Sequence, residues 1–306
     1  MDNPYQNLVI YYFEGLVRLE PEIRTDARFL GLWEESGTSF VFFSQPVPDL
    51  AGQMKTGNPE ARFKDLYEMT WEQWHGDAVK PYDVADFRIF PPWDIPEDMD
   101  GRRPVMMDPG VVFGTGQHPT THACLGLIHR VCASGTIGTV LDIGTGTGLL
   151  ALGAAAMGCS RVLACDFNLL AVATTRKNVA LNHWDDRVLA FQARGETVVD
   201  LPCDLLVANI HYDIMRQLMN SPALAAKPWI ILSGLLRTEA GKVAADLTEK
   251  QMDILEHRCP DGIWHTFLAR PRAFRTRPDA IHSRTDPPAQ DRPACPARSR
   301  NPKRNN

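Results

Sequence analysis

The sequence predicts an α/β fold in which a seven-stranded Rossmann-like sheet is preceded by a small N-terminal α+β domain and followed by a disordered tail. Three observations lead to this prediction. Short apolar strands alternate with helices, a glycine-rich turn follows the first of those strands, and a hairpin ends the alternation. Alternating strands and helices form a parallel sheet because right-handed crossover helices return the chain to the same edge.

Five parallel strands with helices between them are predicted in the last two-thirds of the chain. The strands are residues 139–143, 161–165, 188–192, 205–208 and 229–233, and the helices are residues 149–157, 169–182, 214–220 and 238–250. Residues 252–256 and 263–269 are two further strands, and the Cys-Pro-Asp-Gly sequence between them favours a hairpin. Five parallel strands and a terminal hairpin make the seven-stranded sheet of class I methyltransferases, which differs from a pure dinucleotide-binding fold.

The N-terminal region differs from the rest of the chain, because its predicted elements are mainly aromatic-rich strands and do not alternate regularly with helices. Three strands are predicted, the last two as a hairpin, at residues 8–13, 29–34 and 39–44. A helical turn over residues 70–74 would place Trp71 and Trp74 on one face, where a core role is favoured over ligand binding.

The composition is that of a soluble globular protein, with 44% hydrophobic and 23% charged residues. The start of the chain shows no secretion signal, and the longest apolar run, residues 149–157, is shorter than the roughly 20 residues that span a bilayer. Seven cysteines without a Cys-x-x-Cys pair indicate core residues in a reducing compartment. We therefore expect a cytoplasmic protein without a zinc site.

Positive charge is concentrated at the C-terminal end. Residues 270–306 carry ten Lys or Arg, three Asp or Glu and seven prolines, whereas the whole chain has a net charge of −5. Such a segment cannot bury an apolar core, so we expect it to be disordered. The acidic remainder argues against nucleic acid as the main partner and is compatible with a basic protein substrate.

The most informative stretch is residues 140–150, Val-Leu-Asp-Ile-Gly-Thr-Gly-Thr-Gly-Leu-Leu. Glycines such as Gly144 and Gly146 let backbone N–H groups approach a ligand at the turn between strand and helix. A dinucleotide fingerprint would have a third glycine where Leu149 stands. Asp142, at the strand end, suits a ligand with an amino group, as S-adenosylmethionine has. We predict that Asp142, Gly144 and Gly146 contribute to binding this cofactor.

A second apolar strand ends at Asp166, 18 residues after Gly148. In a βαβ unit, a carboxylate at this position accepts hydrogen bonds from both ribose hydroxyls of a nucleotide-like ligand. The competing interpretation is that Asp166 only caps the following helix. The glycine turn upstream favours the ribose role.

A loop of unusual composition precedes the glycine strand by about one helix. Residues 108–122 read Asp-Pro-Gly-Val-Val-Phe-Gly-Thr-Gly-Gln-His-Pro-Thr-Thr-His, and their three glycines and two prolines indicate a shaped loop. Thr120 or Thr121 can cap the helix that follows, which would turn hydroxyl and backbone N–H groups toward the cofactor.

Together these motifs resemble those of the PrmA family, the methyltransferases that modify ribosomal protein L11. The resemblance covers about residues 70–269. It includes Phe-Pro-Pro-Trp at 90–93, the loop at 108–121, the glycine turn, Asp166, Asn182 in Ala-Leu-Asn, Val-Ala-Asn-Ile at 207–210 and Leu-Ser-Gly-Leu-Leu at 232–236. The chain departs from the family after Asn-Ile, where His-Tyr-Asp replaces the usual Leu-Ala. Its N-terminal segment does not match the family's substrate-recognition domain in detail.

The resemblance implies an S-adenosylmethionine-dependent enzyme that methylates amino groups of a ribosomal protein, either lysine side chains or an N-terminal amine. Thr121, Gly144, Asp166 and Asn209 would contact the cofactor or its neighbourhood, and we add Thr115 from the same loop as Thr121.

Four regions are expected on this basis. Residues 1–75 would recognise the substrate, and residues 76–107 would be a linker in which residues 87–90 could pair with a sheet edge. Residues 108–269 would form the methyltransferase domain, and residues 270–306 the disordered basic tail.

Asn209 is the predicted catalytic residue, because ligands bind at the carboxyl ends of strands in open α/β sheets. A lysine amine must lose a proton before it attacks a methyl group. An amide oxygen can accept from the neutral amine without stabilising the ammonium form as a carboxylate would. His118 is the first candidate for the proton acceptor, and water is the alternative.

Other functions stay open at this point. Leu149, the terminal hairpin and the loop at 108–122 disfavour an NAD-dependent oxidoreductase, and the intact acidic and amide residues disfavour a non-catalytic binding module. Among methyltransferases, an electron-transfer flavoprotein or a small molecule is the alternative substrate. A nucleic-acid substrate is disfavoured, because Asn-Ile-His-Tyr at 209–212 lacks the Pro-Pro-aromatic sequence of enzymes that act on flipped bases. No membrane partner is expected.

Overall fold

The computed structural model describes residues 3, 5–76, 80–112, 114–135 and 137–274. Within them the chain forms three β-sheets and the helices that connect their strands. The N-terminal elements are β1 (Asn7–Glu14), α1 (Pro21–Arg24), β2 (Phe29–Glu35), β3 (Thr38–Phe43), α2 (Leu50–Gly57), β4 (Arg62–Thr70), α3 (Trp71–His75), β5 (Tyr82–Val84), β6 (Phe87–Phe90) and β7 (Arg103–Met106). The later elements are α4 (Pro119–Ser134), β8 (Thr139–Ile143), α5 (Leu149–Ala156), β9 (Arg161–Asp166), α6 (Leu169–Leu181), β10 (Val188–Gln192), α7 (Gly195–Val198), β11 (Leu205–Asn209), α8 (Tyr212–Met219), β12 (Trp229–Leu236), α9 (Arg237–Glu249), β13 (Met252–Arg258) and β14 (Trp264–Pro271).

The large sheet contains seven strands in the order β10-β9-β8-β11-β12-β14-β13. The first five strands in this order are parallel, whereas β14 runs antiparallel to both β12 and β13. The predicted parallel strands and terminal hairpin are therefore confirmed. From β8 the chain passes to β9 on one side and later to β11 on the other, so a crevice opens at the carboxyl ends of β8 and β11.

Two hydrophobic cores cover the faces of this sheet. In β11, Leu205 and Val207 belong to the core with α4, α5 and α6, while Leu206 and Ala208 belong to the core with α8 and α9. Strands buried on both faces have no polar alternate positions, and they appear as continuous apolar runs in the sequence for this reason. Among the described residues, no helix has both the length and the apolar character needed to cross a membrane.

The N-terminal sheet has the order β2-β3-β1-β4, with antiparallel neighbours throughout. One of its faces packs against α2 through residues such as Val9 and Phe43. The other face, which includes Leu8 and Phe42, packs against α3 and Val111. The three predicted strands are present. The sequence pattern does not predict β4, because this edge strand is exposed along nearly its whole length and its apolar residues, Phe63, Leu66, Tyr67 and Met69, do not alternate with polar ones.

The segment predicted to be a linker, residues 76–107, contains a third sheet with the order β5-β6-β7. Its β6, at residues 87–90, pairs with β5 and β7 instead of an edge of the large sheet. Phe87, Ile89 and Val105 are buried in the same core as α4 and α5. This segment is therefore packed onto the helices of the large sheet.

The large sheet extends further along the chain than the tail boundary predicted at residue 270. β14 continues to Pro271, and Arg272–Phe274 form a 3-10 turn. Arg270 is buried as part of the large sheet, and its guanidinium lies over the Trp229 ring, 5.1 Å from the ring centroid. The rest of the predicted tail, residues 275–306, lies outside the described residues.

Asn178 of α6 and Asn182, which caps the C-terminal end of α6, bind the backbone that leads from β7 into the 108–122 loop. The fully buried Asn178 accepts from the Asp108 amide at 2.8 Å and donates to the carbonyls of Asp108 and Thr147 at 2.9 and 2.8 Å. One helical turn later, the Asn182 side chain binds the amide and carbonyl of Met106. These side chains thus satisfy polar backbone groups at the end of β7 and just beyond it.

Asn178→Ala should lower the free energy of unfolding by at least about 3 kcal/mol, because three buried backbone groups lose their partner at about 1–3 kcal/mol each. Denaturant titration followed by circular dichroism measures the change. Asn220→Ala, at the exposed end of α8, is the matched control and should cost less than about 0.5 kcal/mol. Similar losses in both variants would contradict the role assigned to Asn178.

Candidate active site

Two cavities open at the carboxyl edge of the large sheet, and Ile210 and His211, just beyond β11, line both. The first, the glycine-turn cavity, measures about 540 Å³ and is also lined by Trp33, Glu35, Ser36, Val112, Ile143, Gly144, Gly146, Asp166, Phe167, Ala193, Arg194, Gly195, Glu196 and Ile214. The second, the Asn209 cavity, measures about 470 Å³ and is also lined by His75, Gly114, Thr115, His118, Thr120, Thr121, Asn209, Gly234, Leu236, Glu239 and Trp264.

The turn between β8 and α5 requires glycine at position 144. Gly144 has a φ of 72°, in the left-handed region, and a Cβ there would lie 2.3 Å from Ile210 Cγ2. The N–H groups of Gly144 and Thr145 both donate to the Cys165 carbonyl at 2.9 Å. These bonds connect the turn to the end of β9, and the bare backbone forms part of the cavity surface.

Asp166 lies at the end of β9 and faces the glycine-turn cavity. Its two carboxylate oxygens accept from the amides of Gly146 and Asn168, each at 3.0 Å. Burial raises the pKa of Asp166, and the backbone N–H groups partly offset this by favouring the charged form. Each oxygen retains a further lone pair, so the carboxylate can still accept from a ligand's hydroxyl groups.

Asp142 lies beneath the glycine turn and is not among the residues that line the two cavities. One carboxylate oxygen accepts from the Thr145 hydroxyl at 2.6 Å, and Oδ1 is buried without a hydrogen-bond partner among the described residues. Burial raises the pKa of Asp142 to about 7. Direct contact of Asp142 with a ligand, as the sequence predicts, therefore has no support from the cavity geometry.

In the Asn209 cavity, three side chains from two elements form a hydrogen-bonded chain. Asn209 Nδ2 donates to Thr120 Oγ1 at 3.2 Å, and Thr120 Oγ1 lies 2.7 Å from His118 Nδ1. The Thr120 amide also donates to His118 Nδ1, at 3.3 Å. Because a backbone N–H can only donate, Nδ1 is the unprotonated ring nitrogen.

The direction of this chain follows from that tautomer. The Thr120 hydroxyl donates its hydrogen to His118 Nδ1, and its oxygen accepts from the Asn209 amide. The NH₂ group of Asn209 is thereby fixed, and its carbonyl oxygen Oδ1 is the atom left to accept a hydrogen bond.

His118 begins α4 as its N-cap, with Pro119 at the first helical position. The sequence predicts Thr120 or Thr121 as the cap. The structure differs because proline at the first position of a helix supplies the required φ and has no N–H to satisfy. Burial lowers the pKa of His118, and the charge of Asp261 partly offsets this shift. The imidazole is therefore neutral at neutral pH.

Some residues of the Asn209 cavity carry no sequence pattern that marks them. Trp264, after the hairpin turn, meets the His118 ring edge to face at a centroid distance of 5.2 Å. Glu239 also lines the cavity, and its carboxylate accepts from the Leu236 amide at 2.8 Å. Gly234, with a φ of 85°, lies against the backbone that follows β11, because a Cβ there would come within 2.8 Å of the Ile210 carbonyl oxygen and 3.2 Å of Asn209 Oδ1.

Apart from Asp142, which lines neither cavity, the predicted site residues fall into two groups. Gly144, Gly146 and Asp166 line the glycine-turn cavity. Thr115, His118, Thr121 and Asn209 line the Asn209 cavity. Because Ile210 and His211 line both cavities, the two groups are neighbours.

Comparisons with known proteins identify the family to which the chain belongs. The chain matches the family described as ribosomal protein L11 methyltransferase (PrmA) over residues 26–271. It is 35% identical to the ribosomal protein L11 methyltransferase of Heliobacterium modesticaldum over 67% of this chain and 65% of that protein. Its identity to the Synechococcus elongatus protein of the same name is 32%, over 78% of this chain and 81% of that protein.

A solved structure shows the same relationship. The ribosomal protein L11 methylase of Lactobacillus delbrueckii subsp. bulgaricus superposes with a TM-score of 0.54 at 27% identity, covering 63% of this chain and 98% of that one. The family match extends over most of this chain, including β2 through β14, and thus over both cavities. The chain therefore belongs to the PrmA family of methyltransferases.

Proposed function

We propose that this chain transfers methyl groups from S-adenosylmethionine to amino groups of a protein, and that the protein is ribosomal protein L11. The observation that carries the proposal is the orientation of Asn209, whose amide group is fixed by Thr120 so that its oxygen can accept from a substrate amine. The names of the relatives and the family membership support the choice of substrate.

The glycine-turn cavity fits the cofactor. Asp166 offers buried carboxylate oxygens to ribose hydroxyls, and the backbone at Gly144 and Gly146 offers a surface without side chains. Thr115 and Thr121, in the second cavity, are proposed to contact the part of the cofactor that points toward Asn209. When bound, S-adenosylmethionine supplies the methyl group on its sulfonium.

Asp142 is proposed to act from beneath the turn. Full burial raises the pKa of Asp142 to about 7, and hydrogen bonds from the Thr145 hydroxyl and the Ala151 backbone offset this only in part, so the ionised carboxylate is incompletely stabilised by the protein. A positive charge above the turn would stabilise the ionised form. S-adenosylmethionine carries such charges on its amino group and its sulfonium, so Asp142 would favour it without direct contact.

The Asn209 cavity can first attract a cation and then hold a neutral amine. Trp264 presents an aromatic ring and Glu239 a carboxylate, both of which attract an ammonium group. Methyl transfer requires the amine to be neutral, and partial burial lowers the pKa of an amine from its ordinary value near 10.4. Asn209 then orients the neutral amine, because its oxygen accepts one of the N–H hydrogens.

His118 is proposed to position Asn209 instead of accepting the substrate's proton. Its unprotonated nitrogen, Nδ1, already accepts from Thr120, and its other nitrogen carries a hydrogen in the neutral ring. Water in the open cavity is then the proton acceptor.

Labelled S-adenosylmethionine tests the choice of substrate. The purified chain should transfer label to recombinant ribosomal protein L11, and mass spectrometry should locate it on a lysine or on the N-terminal amine. Electron-transfer flavoprotein and a cell extract depleted of protein serve as the alternative substrates. Transfer to either of these, with none to ribosomal protein L11, would contradict the proposed substrate.

Asn209→Ala should lower kcat by about 100-fold or more, because misalignment of the reacting atoms affects the transition state most. The Kd for S-adenosylmethionine, measured by calorimetry, should change far less. Thr120→Val, which keeps the side-chain shape but removes the hydroxyl, should lower kcat by a smaller factor. A Kd that rises as much as kcat falls in Asn209→Ala would show that Asn209 only binds the cofactor.

The pH dependence tests the role of His118. Protonation of Nδ1 would break the chain to Asn209, and the lowered pKa places this event below the ordinary histidine value of 6.5. Since the substrate amine must also lose a proton, log(kcat/KM) against pH should have a slope of about 1 near neutrality and about 2 at lower pH.

His118→Asn provides the comparison, because asparagine caps helices well and does not titrate. In this variant the slope should stay near 1 throughout. Measurements are restricted to pH values at which the circular dichroism spectrum is unchanged, since protonation of a histidine with a lowered pKa also destabilises the fold. A slope of 2 that persists in the variant would exclude His118 as its source.

A further inference from the structure

The N-terminal sheet reaches the glycine-turn cavity through the hairpin that joins β2 and β3. Trp33, Glu35 and Ser36 of this hairpin line the cavity together with Asp166 and Gly144. The Trp33 indole donates to the Glu35 carboxylate at 3.1 Å. A region predicted only to recognise the substrate thus contributes an aromatic ring and a carboxylate to the proposed cofactor cavity.

The hairpin is held at this position by contacts with α6. Gly31 of β2 lies directly against Leu170, because a Cβ at position 31 would come within 2.6 Å of Leu170 Cδ1. Asn168 donates to the Glu34 carbonyl at 3.2 Å, and its backbone amide donates to the Asp166 carboxylate. The strand of the hairpin and the carboxylate proposed to bind ribose are therefore connected through one residue.

The chemistry of these residues suits the adenosine portion of a ligand. Phe167, which is 49% exposed, and Trp33 both line the cavity, and aromatic rings of this kind stack on bases. Burial raises the pKa of Asp166 most and the charge of Glu35 raises it further, so hydrogen-bond donors from a ligand would stabilise both carboxylates.

We propose that the β2–β3 hairpin is part of the cofactor site, with Trp33 and Glu35 contacting the adenosine portion of S-adenosylmethionine. The proposal rests on the proposed function, which puts this cofactor in the glycine-turn cavity. It follows that cofactor binding and docking of the N-terminal sheet stabilise each other, because linkage is reciprocal. The loaded enzyme would then hold its N-terminal region in one fixed position relative to Asp166.

Calorimetric titration with two probes tests the proposal on the full chain. S-adenosylmethionine and 5′-methylthioadenosine share the adenosine portion, but only the first carries the amino-acid group. Trp33→Ala should weaken binding of both probes by a similar factor of roughly tenfold. Tyr67→Ala, which removes an exposed aromatic side chain from β4 of the same sheet, is the matched control and should bind both probes as the unmodified chain does.

Two further variants keep the result interpretable. Trp33→Phe retains an aromatic ring and should recover most of the affinity, and Glu35→Gln tests the carboxylate without loss of packing. Amide hydrogen exchange gives a second readout, because S-adenosylmethionine should slow exchange in β2 and β3 of the unmodified chain and less so in Trp33→Ala.

The outcomes separate this inference from the proposed function. If the unmodified chain binds neither probe, the proposed cofactor site fails. If the unmodified chain binds both probes and Asp166→Asn weakens binding, but the Trp33 and Glu35 variants bind normally and exchange in the hairpin is unchanged, the proposed function survives and the hairpin's role is excluded.

Discussion

The backbone of residues 106–112 lies between two hydrophobic cores, and the need to satisfy its polar groups there shapes the whole site. Asparagines of α6 bind it from the side of the large sheet. From the other side, the indole N–H groups of Trp71 and Trp74 donate to the carbonyls of Gly110 and Val111 at 2.7 and 3.0 Å. The backbone of this segment is therefore held by hydrogen bonds from both parts of the chain.

Acidic groups dominate the electrostatics around the glycine turn. Burial raises the pKa of both Asp142 and Asp166, and Glu35 adds a like charge near the second. Hydrogen bonds from backbone N–H groups and from the Thr145 hydroxyl offset only part of the free energy that is needed to keep these buried carboxylates ionised. A site of this kind gains most from a ligand that carries positive charge and hydroxyl groups, which agrees with the proposed cofactor and with the family of the chain.

The Asn209 cavity depends instead on a neutral acceptor held in a fixed orientation. His118, the N-cap of α4, binds Thr120, and Thr120 in turn binds the amide of Asn209 at the end of β11. The start of α4 therefore fixes the orientation of that amide. An amide in this place orients an amine without favouring its charged form, while Glu239 and Trp264 at the same cavity can attract the charged form. Attraction and orientation are thus assigned to different side chains.

Local sequence patterns are sufficient to predict the large sheet, its parallel strands with a terminal hairpin, and the residues at its carboxyl edge. Apolar runs, glycine turns and a terminal hairpin are local patterns that can be read from the sequence. The carboxyl ends of parallel strands lie at the same edge of the sheet, and this does not depend on the conformation of the loops. Asp166, Gly144 and Asn209 could be chosen on that basis. Their cofactor and catalytic roles stay predictions that the experiments above address.

Long-range packing, which no local pattern records, determines which distant residues line the two cavities and where Asp142 lies. Trp264 is separated from His118 by most of the methyltransferase domain, and Trp33 belongs to a hairpin with ordinary strand composition, so no spacing marks either as a cavity residue. The position of Asp142 beneath the turn depends on how Thr145 folds back over it. Long-range packing also determines the structure of the proline-rich segment 76–107, in which β5, β6 and β7 form a sheet whose Phe87, Ile89 and Val105 are buried with α4 and α5.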